Sequence, residues 1–234
     1  MSIDAKRRIL WVSSAMMKEL GNAETKSAIF KYDLNTKKLI SRFELPPSEG
    51  GNVLGDVIVN SQGDAYTTDS ITPGVYVIPR DGKKLELFVG ADLFRSPQGL
   101  CFSPDEKTLF VADYVRGIYG FDVKSKSSYK LQPPDTATIV GVDGLYFYKD
   151  SLIATQNGIN PNRVIRIYLN DGLNKIEQVK ILESNNKLFD EITLGTIADG
   201  NFYYVGNSQF GKYLENPKAE LHAPMILKLS LNAD

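Results

Sequence analysis

An all-β fold built as a β-propeller of four-stranded blades is predicted by three observations. A motif returns about every 45 residues through the 234-residue chain. Each copy reads as short strands with no other regular structure between them. The connections between the strands are of two alternating kinds, one of hairpin turns and one of polar exits.

The motif opens with a Gly-containing entry to an apolar strand, then gives a tight polar turn and a second strand ending in a polar cluster. Gly55-Asp56-Val57-Ile58 leads to Ala65-Tyr66-Thr67-Thr68-Asp69, and Gln98-Gly99-Leu100 leads to Leu109-Phe110-Val111-Ala112-Asp113. Asp143-Gly144-Leu145 leads to Leu152-Ile153-Ala154-Thr155-Gln156-Asn157, and Leu194-Gly195-Thr196 to Phe202-Tyr203-Tyr204-Val205-Gly206-Asn207. Third strands follow at Ala28 to Leu34, Gly74 to Ile78, Gly117 to Phe121, Val164 to Tyr168 and Met225 to Leu229. Fourth strands follow at Leu39 to Leu45, with strict period-two alternation, and at Leu85 to Val89, Ser128 to Leu131 and Ile176 to Leu182. One domain of five units results, at about 1–47, 52–90, 96–132, 141–183 and 190–234. The first unit begins at its second strand, Arg8 to Ser13, with only Ser2-Ile3-Asp4 before it, and is expected to lack its inner strand. The last is expected to stop after its third. Five such units look like most of a six-bladed ring, or a ring closing with five blades. An open ring exposes strand edges and leaves homo-oligomerisation open.

The turns Asn60-Ser61-Gln62-Gly63, Ser103 to Lys107, Tyr148-Lys149-Asp150 and Ala198 to Asn201 join first to second strands. Another set, such as Arg80-Asp81-Gly82-Lys83 and Asn170-Asp171-Gly172, joins third to fourth. Both sets are plain turn chemistry. The exits after second strands carry Asp69-Ser70, Asp113-Tyr114, Gln156-Asn157 and Asn207-Ser208-Gln209. In a blade these exits fall on one face with the starts of the inner strands, so that face gathers acids, amides and hydroxyls around a central channel. Each exit residue taken singly could equally cap the backbone amides of the next loop.

Composition narrows the function classes. The chain is 42% hydrophobic and 24% charged, with a net charge of -1, ordinary for one globular core. Lys6-Arg7-Arg8 is too small a basic cluster for a nucleic-acid partner, and no apolar run approaches a membrane span. The N-terminal residues have no apolar core of a signal peptide. This reading places a complete chain in the cytoplasm, and a fragment of a longer precursor in a secreted or periplasmic setting. Cys101 is single, between Leu100 and Phe102, and is expected to be an inert core thiol. His222 is the single histidine, in a late loop, and no Gly-x-Ser-x-Gly elbow accompanies it, which argues against Ser-His-Asp chemistry. One Cys and one His cannot build a zinc site of those ligands. Most aromatic residues are expected between blades; Tyr114, at a polar exit, is the candidate for stacking on a ligand.

The motifs from Leu54 to Leu169 resemble the gluconolactonase, or regucalcin-like, family of six-bladed propellers. The resemblance rests on Gly55 to Val59 with Tyr66 to Ser70, on Gln98 to Asp105 with Leu109 to Asp113, and on Val142 to Leu145 with Gln156-Asn157-Gly158 and Arg163 to Arg166. It implies one divalent cation at the channel mouth, Ca²⁺ first, with Mg²⁺, Mn²⁺ or Zn²⁺ as alternatives. It also implies hydrolysis of small lactones or cyclic esters. In the family's ligand pattern, a Glu, two amides and an Asp, Asp143 matches the Asp and also the catalytic base. Gln98 takes the place of one Asn, Gly55 that of the other without a side chain, and the Glu has no counterpart. Asp56, Asp113, Asn157, Glu191 and Asn207 are candidates to complete the set. Asp113, Tyr114, Asn157 and Arg116 are expected to line the substrate side. The rival expectations are a non-catalytic propeller that binds a small ligand or a protein on its polar face, and a scaffold whose site is completed by residues outside this sequence.

Overall fold

The computed structural model describes residues 1–232. Five antiparallel sheets stand around a common axis as the blades of a β-propeller. Blade 1 is β1 (Ser2–Asp4), β2 (Ile9–Met16), β3 (Lys26–Asp33) and β4 (Leu39–Phe43). Blade 2 is β5 (Leu54–Val59), β6 (Ala65–Asp69), β7 (Gly74–Ile78) and β8 (Glu86–Val89). Blade 3 is β9 (Pro97–Phe102), β10 (Thr108–Asp113), β11 (Gly117–Asp122) and β12 (Ser128–Lys130). Blade 4 is β13 (Val142–Tyr148), β14 (Ser151–Gln156), β15 (Arg163–Leu169) and β16 (Ile176–Ser184). Blade 5 has three strands, β17 (Gly195–Ala198), β18 (Asn201–Val205) and β19 (Ile226–Ser230).

Blade 1 corrects the sequence reading, because it does have an inner strand. Ser2, Ile3 and Asp4 pair with Trp11, Leu10 and Ile9. So short a strand holds because Asp4 closes the turn behind it. Its carboxylate accepts the Arg7 backbone N–H at 3.0 Å and the Arg7 guanidinium at 2.9 Å. Blade 5 stops after its third strand among the described residues, as expected; Ala233 and Asp234 of the fifth unit lie outside them. A short helix, α1 (Phe210–Glu215), sits in the connection from β18 to β19 and has no signature in the repeat. Among the described residues no helix is long and apolar enough to cross a membrane.

The core lies between blades rather than within one. In β10, Leu109, Phe110, Val111 and Ala112 are consecutive and all 0% exposed. Leu109 and Val111 pack toward blade 2, and Phe110 and Ala112 toward blade 4. A strand packed on both faces has no solvent side, so its sequence reads as a continuous apolar run. Each large apolar side chain so buried contributes about 1.5–3 kcal/mol. Cys101 is buried in the same layer, and burial pushes its thiol well above the ordinary value, as an inert core thiol requires.

The repeated glycine at the start of the inner strands has a packing cause. A Cβ on Gly99 would lie 2.5 Å from the Asp143 carbonyl oxygen and 2.6 Å from the Leu145 nitrogen. The inner strands of blades 3 and 4 therefore touch backbone to backbone at the axis, and only glycine fits.

Candidate functional site

Three β-bulges aim side chains at the axis. In blade 2 the pairing jumps from Leu54↔Asp69 to Val57↔Thr67, leaving Gly55 and Asp56 against Thr68. In blade 3 it jumps from Asp113↔Pro97 to Val111↔Leu100, displacing Gln98 and Gly99. In blade 4 it jumps from Val142↔Gln156 to Gly144↔Thr155, displacing Asp143. A bulged residue leaves the ladder and its side chain is re-aimed. Threonines on the second strands take up the loosened backbone: Thr67 Oγ1 donates to the Asp56 carbonyl at 2.8 Å and Thr68 Oγ1 to the Gln98 carbonyl at 2.7 Å. Thr155 Oγ1 accepts the Gly144 N–H at 2.8 Å.

Asp143 is the centre of the arrangement. Its Oδ2 accepts hydrogen bonds from Thr193 Oγ1 and, at 3.1 Å, from Asn157 Nδ2. Asn157 is itself fixed: Nδ2 also donates to the Ile192 carbonyl at 2.8 Å, and Oδ1 accepts the Tyr114 hydroxyl at 2.9 Å. Asp143 lines a cavity of about 460 Å³, and its Oδ1 has no hydrogen-bond partner among the described residues. Burial raises the Asp143 pKa, the Thr193 and Asn157 donors oppose that shift, and the Glu191 charge adds to it. Gln98 lines the same cavity; Nε2 is held by Ser96 Oγ at 3.0 Å, and Oε1 is unpartnered among the described residues. Glu191 lines it too, in the left-handed region at φ 62°, with Oε2 taken by Ser208 Oγ at 2.9 Å and the Gly211 N–H at 3.0 Å. Tyr114 and Phe210 supply aromatic surface, and burial raises the Tyr114 pKa.

The structure therefore brings Asp143, Gln98, Tyr114, Asn157 and Glu191 to one cavity, and Thr193, Ser96, Ser208 and Phe210 join them from outside the predicted set. Thr193 lies just before the Leu194-Gly195 copy of the inner-strand motif, and that position was the available signal. Ser208 follows the Asn207 exit. Phe210 begins a helix that the repeat does not announce.

Four predicted residues go elsewhere. Asp113 is 0% exposed and is consumed by its loop. Oδ2 accepts the Arg95 and Ser96 N–H groups at 2.6 and 2.9 Å, and Oδ1 those of Val115 and Arg116 at 3.0 and 2.7 Å. Arg116 turns outward, its Nη1 donating to the Leu93 carbonyl at 2.9 Å. Asn207 ties the ends of the blade 5 loop, accepting the Met225 N–H at 2.6 Å and donating to the Ala223 carbonyl at 3.0 Å. The polar exits are thus first a set of loop caps: Asp69 Oδ1 takes the Val53 and Ile71 N–H groups, and Gln156 Nε2 donates to the Thr138 and Val140 carbonyls.

Asp56 is the fourth. It lines a separate, largely apolar cavity of about 700 Å³ with Tyr146, Leu194 and Tyr203. It is buried, and its Oδ1 accepts the N–H of its neighbour Val57 at 2.8 Å. Burial raises its pKa to about 6, with the N-terminal ammonium and the Val57 bond opposing and Asp143 adding. A carboxyl raised in the folded state stabilises the fold fully below its unfolded pKa and loses that contribution as pH rises through its folded pKa. Asp56→Asn is therefore expected to match the wild type in stability below about pH 4. It should gain roughly 2–3 kcal/mol over the wild type above pH 6. Urea unfolding at pH 3.5 and pH 7.5 checks this; equal midpoints at the higher pH would show that Asp56 is stabilised as the anion.

The oxygen donors left open at the mouth, one each on Asp143, Glu191 and Gln98, are hard ligands of the kind Ca²⁺, Mg²⁺ and Mn²⁺ take. Among the described residues no three His, Cys, Asp or Glu side chains group tightly enough to hold a metal by themselves, so water or ligand oxygens would have to complete the shell. His222 is exposed in its loop, its N–H and carbonyl held by Gln209, and it does not line the mouth.

No protein-family model matches this chain, and no curated protein sequence does. Solved structures do. A chain of a nidogen/laminin complex matches at TM-score 0.65 and 15% identity over 85% of this chain and 70% of that one. A glucose dehydrogenase matches at 0.63 and 15%, over 98% and 81%. A luciferin-regenerating enzyme matches at 0.57 and 13%, over 99% and 90%. At these identities the likeness is one of fold: this chain is a β-propeller, and the structures similar to it include enzymes and a chain of a nidogen/laminin complex.

Proposed function

We propose that this chain is a hydrolase of small lactones or related cyclic esters, similar to the gluconolactonase and regucalcin-like propellers, with a divalent cation at the mouth of the channel. The observation that carries the reading is Asp143, which lines the cavity with one carboxylate oxygen locked by Thr193 and Asn157 and the other without a hydrogen bond among the described residues. That is how a general base is held. The two enzymes among the similar structures are in keeping with it. Asp143, Gln98 and Glu191 are the residues that would hold the cation, Ca²⁺ before Mg²⁺ or Mn²⁺. When bound, the cation would supply Lewis-acid polarisation of the ester carbonyl. The chain's own residues do the rest. Asp143 Oδ1 takes the proton of the attacking water. The Tyr114–Asn157–Asp143 chain fixes the angle of that oxygen. Tyr114 and Phe210 cover the ring of the substrate.

The test is thermal unfolding of metal-stripped protein against Ca²⁺, Mg²⁺, Mn²⁺ and Zn²⁺. A ligand at a hundredfold excess over Kd, bound only to the folded state, adds about 2.7 kcal/mol. The expected result is a saturable rise in Tm with Ca²⁺ that is lost in Asp143→Ala, followed by lactone turnover. No rise with any cation moves the assignment to a propeller that binds ligands at the mouth without chemistry, a reading that the short donor set favours.

A further inference from the structure

The connection from β18 to β19 borders the mouth through Ser208 and Phe210, and side-chain amides fasten its two arms together. Asn207 holds the first rung, accepting the Met225 N–H at 2.6 Å and donating to the Ala223 carbonyl at 3.0 Å. Two residues on, Gln209 holds the second. Its Oε1 accepts the His222 N–H at 2.8 Å, and its Nε2 donates to the His222 carbonyl at 3.1 Å. Nε2 also donates to the Asn207 carbonyl at 3.4 Å. Gln209 is 4% exposed, and both ends of its amide are used, as burial of so polar a group demands.

The clamp fixes a residue that has no packing reason to be fixed. Phe210 lies between Gln209, in the left-handed region at φ 55°, and Gly211, whose N–H is held by Glu191 Oε2 at 3.0 Å. The Ser208 N–H donates to the Glu191 carbonyl at 3.0 Å, and the Gln209 carbonyl accepts the Tyr213 N–H at 3.0 Å. The backbone is therefore set on both sides of Phe210. Yet among the described residues the Phe210 ring joins no hydrophobic cluster and pairs with no other ring. It is 38% exposed and lines the cavity with Asp143 and Tyr114. Loop closure alone accounts for the clamp but not for the aromatic ring it leaves in the cavity wall. A stacking surface held in place before a ligand arrives loses little freedom on binding.

We propose that Gln209 is a positioning residue of the mouth: its clamp on His222 sets the Phe210 ring as one wall of the site, and Phe210 is the specificity-determining contact for a cyclic ligand. Gln209 does not line the cavity and acts through Phe210. The inference rests on the reading of the mouth as the ligand site and does not depend on hydrolysis there.

The probes are δ-valerolactone, followed by turnover, and δ-valerolactam, a ring amide of the same size, followed by NMR shift titration. Gln209→Ala and Phe210→Ala are each expected to raise KM for the lactone and Kd for the lactam about fivefold, with kcat kept within about twofold. The double variant is expected to be no worse than Phe210→Ala, because a clamp that acts through one ring has nothing further to lose once the ring is gone. Phe210→Tyr is expected to keep wild-type KM and Kd. Where Gln209→Ala does not fold, Gln209→Glu takes its place in the cycle, since it keeps the acceptor for the His222 N–H and loses the donor to the carbonyl. Unchanged KM and Kd in the Gln209 variant overturn the proposal. So do effects that multiply in the double variant, which make Gln209 a structural residue independent of Phe210. The cycle is read in Kd whether or not the lactone turns over, so failure of the hydrolase reading and failure of this proposal are told apart. A wild type that binds neither ring overturns both.

Discussion

Asp113→Ala is expected to lose about 4 kcal/mol of stability, which for a chain of this size lowers Tm by roughly 8–16 °C. The carboxylate is fully buried and accepts four backbone N–H groups, two from the segment before β9 and two from the turn after β10. Each orphaned buried donor costs about 1–3 kcal/mol, and local relaxation to water recovers part of the sum. Asp113→Asn should fall between wild type and alanine. Its amide oxygen can serve one pair of donors, while its NH₂ faces the other pair and repels it. Arg116→Ala should shift Tm by little, because its guanidinium bond to the Leu93 carbonyl is exposed. Thermal unfolding by circular dichroism checks the series. An alanine variant with unaltered Tm would mean that solvent takes over the four donors and that Asp113 is no structural keystone.

That residue also shows where sequence and structure part. The repeat is legible because blades impose it. β6, β10 and β14 are buried on both faces, and in β10 and β14 this is written as unbroken apolar runs, Leu109 to Ala112 and Leu152 to Ala154. The inner-strand glycine is legible because backbone meets backbone at Gly99. Asp143 and Gln98 were singled out by the family resemblance and Tyr114 and Asn157 by the recurring exits, and all four line one cavity. An Asp at a strand exit is ambiguous, however. Asp113 and a true ligand look alike in one dimension, and only the positions of four N–H groups separate them. Adjacent residues divide the roles: Gln156 caps the loop while Asn157 points to the cavity. Thr193 sits just before the Leu194-Gly195 copy of the motif, one position outside the pattern, and Phe210 begins a helix in the β18–β19 connection that the repeat does not announce. The inner strand of blade 1 escaped the pattern because three residues are too few to show alternation, and the Asp4–Arg7 clasp holds it instead.

Asp143→Asn is expected to lower turnover of a susceptible lactone about 10³-fold, within the 10²–10⁴ that a positioned base contributes. Its effect on stability should be small. The amide oxygen can still accept from Thr193 and Asn157, and a site whose burial already disfavours the anion loses little when the charge goes. Activity of the wild type should rise with pH as Asp143 ionises, because only its carboxylate form accepts a proton. Thr193→Val separates orientation from basicity. It removes a donor that favours the Asp143 anion, so the acid limb should move to still higher pH while some turnover survives. Asn157→Ala should do more, since it also frees Tyr114 from the chain that ends on Asp143. Rate–pH profiles of the three variants, with Tm measured alongside, distinguish a base from a structural carboxylate. A base loses rate at constant Tm and moves its acid limb when its donors are cut. A structural carboxylate loses Tm, as Asp113 is expected to do. If Asp143→Asn retains wild-type turnover, the proton is taken elsewhere, and Glu191, the other carboxylate lining the cavity, becomes the residue to replace next.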